Sequence, residues 1–108
     1  MRSAEIYRNG VLAGVLSEDE QRHFTFEYDD TYFSDPDMPA ISLTIPKSKE
    51  KYHSDILFPF FFNMLSEGVN RKLQSRTLHI DEKDHFGLLM ATANDDTIGA
   101  ITIKQITA

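Results

Sequence analysis

Asn9-Gly10 lies between the segment "EIYR", which carries Ile6 and Tyr7, and a more apolar one, "VLAGVL". Both turn residues tolerate positive φ, which is what a two-residue turn between right-twisted strands requires. The chain therefore opens with a β-hairpin, and any fold it adopts contains an antiparallel pair. Gly14 in the returning strand permits a bulge or a close backbone approach. After the polar turn "SEDEQR", "HFTFEY" alternates strictly: Phe24, Phe26 and Tyr28 share one face, and His23, Thr25 and Glu27 share the other. That is a half-buried antiparallel strand. "DDTYFSDPDMP" reads as a loop with two prolines, Tyr32 and Phe33 tucked back. "AISLTIP" alternates again through Ile41, Leu43 and Ile45 and is expected as a strand that Pro46 stops.

The second half has a longer period. "KSKEKYH" is a polar connection, and Ser54-Asp55 reads as a helix cap and first turn, predicting a helix over about Asp55 to Leu65. Pro59 removes one hydrogen bond from that helix, which should start late or bend in its first turn. Gly68 separates it from a second helix, about Val69 to Leu78, basic on its wet side. Asp81 or Asp84 can cap a third, short helix with Phe86, Leu89 and Met90 on one face, ended by Asn94. Ile101 and Ile103 alternate in a final strand. Strands, then helices, then a strand give an α+β fold: one domain over residues 1–108, an antiparallel sheet with two to three helices packed on one face.

Four phenylalanines fall within residues 58–62. On a helical wheel, Leu57, Phe60, Phe61, Met64 and Leu65 cover about 140°; adding Ile56, Phe58 and Phe62 widens the arc to about 240°. A one-sided helix needs little more than 100°. Either the sheet and the other helices cover both sides, or Phe58 and Phe62 stand on a patch that another protein covers.

Chemistry is harder to find. The chain has no cysteine, so disulfides and thiolates are excluded, which fits a cytoplasmic setting. His23, His53, His79 and His85 have no metal-site spacing. The pairs Asp29-Asp30 and Asp95-Asp96 sit in expected turns, where Asp serves the backbone. The glycines form no phosphate loop and the serines no nucleophile elbow. No cofactor, metal or enzymatic activity is expected. No window approaches the ~20 apolar residues of a membrane span, and the start has no apolar leader. Net charge is −6, which argues against direct nucleic-acid binding. The charge is segmented: residues 1–45 hold nine acids and three arginines, while 46–76 hold six bases and three acids. Lys47, Lys49 and Lys51, with Arg71, are either solvated or a contact for an acidic partner.

In order, "YRNGVLAGVL", "FTFEYDDTY", "ISLTIP", "SDILFPFFFNMLSEGVNR", "DHFGLLMATANDD" and "IGAITI" together resemble the N-terminal subdomain of HipA-like kinases, the toxins of bacterial toxin–antitoxin pairs. The resemblance spans nearly the whole chain. It departs from the family at Ser66, where proline is common, and at Asn94, where glycine is common; both residues are compatible with the helix ends expected there. The ATP-binding loop and catalytic and metal-binding aspartates of such kinases are not found in these 108 residues. The resemblance thus implies a stand-alone subdomain of the three-gene HipBST type. It would be an antitoxin for a HipA-like serine/threonine kinase shortened at its N-terminus, a HipT-like toxin, in a complex with a HipB-like DNA-binding protein. Phe58, Phe62, Lys47, Lys49, Lys51 and Arg71 are the expected partner contacts.

Overall fold

The computed structural model describes residues 2–65, 68–92 and 101–106. The hairpin forms as expected: β1 (Arg2–Arg8) and β2 (Val11–Glu18) are joined by Asn9 at φ 51° and Gly10 at φ 79°. β3 (Phe24–Tyr28), β4 (Lys51–Ser54) and β5 (Ile101–Gln105) complete a five-stranded sheet of order β4-β3-β2-β1-β5, antiparallel throughout. Register sets the buried face. One row crosses the sheet from Ala4 through Leu16 and Phe26 to Tyr52, and the next runs Ile103, Ile6, Gly14, Tyr28. Just past the second row the register slips at Ile6/Tyr7, leaving the buried Ala13 as the extra residue of a bulge. Gly14 is required there: a Cβ would stand 2.4 Å from the Glu27 carbonyl oxygen and 2.7 Å from the Phe26 ring.

Four helices follow, α1 (Asp30–Ser34), α2 (Pro59–Phe62), α3 (Gly68–Leu78) and α4 (His85–Thr92), and α1, α2 and α4 bring aromatic side chains to this face. Tyr32 stacks on Tyr28, Phe61 leans on Phe26, and Phe86 stacks on Phe24. α3 packs against α4. It ends in a left-handed His79 (φ 56°), with the Ile80 amide donating to the Ser75 carbonyl at 3.0 Å. The other sheet face carries Glu5, Thr25, Glu27, Lys51 and Lys104, none of them buried.

Three local expectations are corrected. Residues 41–45 do not form a strand. They make a turn in which Ser42 and Ile45 bridge, Ile41 and Ile45 point inward, and Leu43 points out. The strand lies instead at Lys51–Ser54, in the segment read as a connection. The Phe-rich helix is a single turn beginning at Pro59, not Asp55. Proline clashes with a helical predecessor, and Phe58 is accordingly extended at φ −53°, ψ 136°. Ser54 caps no helix; its hydroxyl accepts from the Ile56 amide in a local turn. Helix α1 was also unexpected. Asp29 caps it by accepting from the Tyr32 amide, which gives this half of the Asp29-Asp30 pair a backbone role. Asn94 and Asp95-Asp96 lie outside the described residues.

Candidate functional site

The β2–β3 turn, the β4–α2 connection and the α3–α4 connection meet at one end of β3. Between them lies a groove of about 410 Å³. Its walls are apolar: Phe24, Leu57, Pro59 and Phe62, with Ile56 on the lip at 68% exposure. Phe62 meets the His85 ring edge-on, centroids 5.0 Å apart. Charges border the groove: the basic Arg22 and Lys83 and the acidic Glu18, Asp55 and Asp84. The His23 ring lies 3.7 Å from the Asp55 carboxylate.

Beneath the groove a clamp fixes its far wall. Arg2 donates through Nε to Glu18 at 2.9 Å and through its two terminal nitrogens to Asp84 at 3.0 and 2.7 Å; a further contact runs from the guanidinium to Glu18. The guanidinium also lies 5.1 Å from the centroid of the Phe86 ring. Glu18, 7% exposed, is the buried charged residue among those described. A charge so placed needs its partner, since desolvation otherwise disfavours it. Asp84 is held below the usual carboxylate range, first by Arg2 and then by the Gly87 amide, which donates to it at 3.0 Å and so caps α4. The clamp therefore ties β1, β2 and α4 together where the groove is formed.

At the other end of β3 the Ser42–Ile45 turn is braced from below. The Tyr28 hydroxyl donates to the Ile45 carbonyl and accepts from the Ile41 amide at 3.2 Å. Burial pushes that phenol up to about 12. Lys47 donates to the Asp35 and Met38 carbonyls, both at 2.7 Å, and lies 5.2 Å from the centroid of the Tyr32 ring.

This geometry sorts the expected contacts. Phe62 is half-buried and lines the groove. Phe58 is 8% exposed and belongs to the core, so it does not stand on an exposed patch. The wheel misplaced it because a helix of one turn has no second turn to extrapolate. Lys47 is taken up in holding its own loop, whereas Lys49 and Lys51 are exposed. Lys49 lies 5.3 Å from the Tyr52 ring centroid. Arg71 falls in α3, and its side chain is outside the described residues. The clamp went unread in the sequence, although counting outward from Asn9-Gly10 with one bulged residue places Arg2 opposite Glu18. No group of three or more His, Asp or Glu side chains able to hold a metal occurs among the described residues. No described helix is long and apolar enough to cross a membrane.

Residues 4–104 match the family model of the HipA N-terminal domain. A solved N-terminal domain of HipA toxin superposes with a TM-score of 0.72 at 29% identity, covering 99% of this chain and 94% of that one. An uncharacterised protein of Haemophilus influenzae is 32% identical over 97% of this chain and 93% of its own length. A putative kinase of Sinorhizobium fredii, Y4mE, is 23% identical over 88% of this chain, which spans only 23% of that protein. The HipA N-terminal domain is not itself the catalytic kinase domain. With the match running across all five strands and the groove between them, the chain belongs to the HipA N-terminal domain family.

Proposed function

We propose that this protein acts as a HipS-like antitoxin. It binds a HipA-family serine/threonine kinase toxin that lacks this subdomain, HipT-like, and helps neutralise it in a complex with a HipB-like DNA-binding protein. The observation that carries the reading is two-sided coverage. The same domain makes up 93% of the Haemophilus influenzae relative but 23% of the Sinorhizobium fredii putative kinase. One fold thus occurs both within a kinase-sized chain and as nearly a whole protein. A subdomain separated from its kinase keeps the face that packs against the catalytic lobes, and such faces resemble transient protein–protein interfaces, part apolar and part polar. The groove lined by Phe62 and Ile56 is that surface here.

The test is a titration. The HipA-family kinase encoded beside this gene is purified and its autophosphorylation followed as the chain is added. The expected result is loss of activity near an equimolar ratio. Phe62→Ser, with an unchanged fold by circular dichroism, should require a clear excess. Unchanged or increased activity in a complex that still co-elutes would make the chain a structural subunit instead, with inhibition residing in the DNA-binding partner.

A further inference from the structure

The groove is too small to hold a stable complex alone. Such an interface takes roughly 800 Å² from each partner, and a cavity of about 410 Å³ receives only a few side chains. The contact must extend, and the direction can be read along β3. Phe24 at one end opens on the groove, Phe26 lies under α2, and Tyr28 at the other end supports the Ser42–Ile45 turn. Four residues of strand separate the ends, about 13 Å.

On that turn Leu43 is 100% exposed. Single exposed leucines are ordinary on protein surfaces; this one differs in how it is held. Ile41 and Ile45 are buried on either side of it. The Ile45 amide closes the turn on the Ser42 carbonyl at 3.1 Å, and the Ser42 hydroxyl accepts from the Thr44 amide at 3.2 Å. Below, the Tyr28 hydroxyl grips both flanks, and the Tyr52 hydroxyl donates to the Pro46 carbonyl. A side chain presented on so fixed a backbone loses little entropy on binding, which is the advantage of preorganisation. Lys49, over the Tyr52 ring whose hydroxyl reaches Pro46, puts a positive charge near the base of the turn.

We propose that the Ser42–Ile45 turn is a second contact for the kinase, with Leu43 inserting into an apolar pocket that has a carboxylate at its border for Lys49. The inference rests on the reading that this chain binds a HipA-family kinase, and it adds a two-point grip along the line of β3. Calorimetric titration of the neighbouring kinase with wild type, Leu43→Ser, Leu43→Met and Phe62→Ser tests it, with thermal melts of each variant. Leu43→Ser is expected to weaken binding about tenfold or more without moving the melting temperature, because the side chain touches nothing in the free chain. Leu43→Met is expected to restore most of the affinity. Wild-type affinity in Leu43→Ser, with Phe62→Ser weakened, would overturn the second contact and leave the proposed function standing. No binding by the wild-type chain would overturn both. Self-association of the wild-type chain that Leu43→Ser abolishes would make a second copy the occupant and overturn the kinase assignment of this surface.

Discussion

The Tyr28 hydroxyl serves two backbone groups, the Ile45 carbonyl and the Ile41 amide, so its removal strands both in an apolar interior. Leaving buried backbone groups unpaired costs about 1–3 kcal/mol. Tyr28→Phe should lower stability by that amount in urea unfolding, although the ring and its stacking on Tyr32 remain. The same burial raises the phenol to about 12 from an ordinary value of 10.0. The folded state holds this proton more tightly than the unfolded one. Its contribution is therefore complete below about pH 10 and is lost as pH rises toward 12. The alkaline fall in stability over that window should be smaller in Tyr28→Phe, measured by urea midpoints at successive pH values. Lys47 shows how a charge can mislead at this scale. In sequence it is one of three alternating lysines, and in the fold its ammonium ties down the loop that ends at Met38.

Among the elements, the strands were legible where period two coincided with an unambiguous turn. β1, β2, β3 and β5 stand where alternation and Asn9-Gly10 place them. The same alternation failed at Ile41, Leu43 and Ile45, because a tight turn also buries its two ends while turning its middle residue outward. β4 was missed because "KYHS" offers a single apolar residue, the half-buried Tyr52, to the core side; it is recruited at the edge by pairing with β3. The Phe-rich segment reads in sequence either as covered on both sides or as carrying Phe58 and Phe62 on an exposed patch; Phe58 is buried, and Pro59 cuts the helix to one turn. Of the candidate site, Phe62 was legible from its aromatic neighbours, while the Arg2–Asp84 contact joins residues 82 positions apart and no local pattern announces it. That contact has a testable consequence. Arg2→Met would leave Glu18 buried without its partner and Asp84 without its main stabiliser. The cost should be about 1–2 kcal/mol at neutral pH, discounted because Arg2 and Asp84 are partly solvated. Asp84 is depressed in the folded state, so its contribution is present above the ordinary carboxylate value of 3.8 and is lost as pH falls through the lower folded value. Urea midpoints of wild type should drop steeply below about pH 4, and those of Arg2→Met should start lower and fall less.

For the whole molecule, charge and shape point in one direction. The chain carries −6 overall, with its acids concentrated in residues 1–45 and its bases in 46–76. Once Lys47 is assigned to its own loop, Lys49 and Lys51 remain as exposed cations near the Tyr28 end of β3, with the acids Glu27, Asp30 and Glu50 beside Lys51. Exposed cations on an acidic molecule orient an encounter more than they add to final affinity, because rim charges act mainly on association rate. Salt screens such charges over about 8 Å at physiological ionic strength. Association of the chain with the kinase should therefore slow as sodium chloride is raised in stopped-flow mixing, while dissociation changes little. Lys49→Glu combined with Lys51→Gln should slow association severalfold at low salt and flatten its salt dependence. Glutamine is chosen at Lys51 because a carboxylate there would face Glu27 across the strand pair. An unchanged salt slope in that variant would remove both lysines from the contact and leave Leu43 and the groove to orient the partner by shape alone.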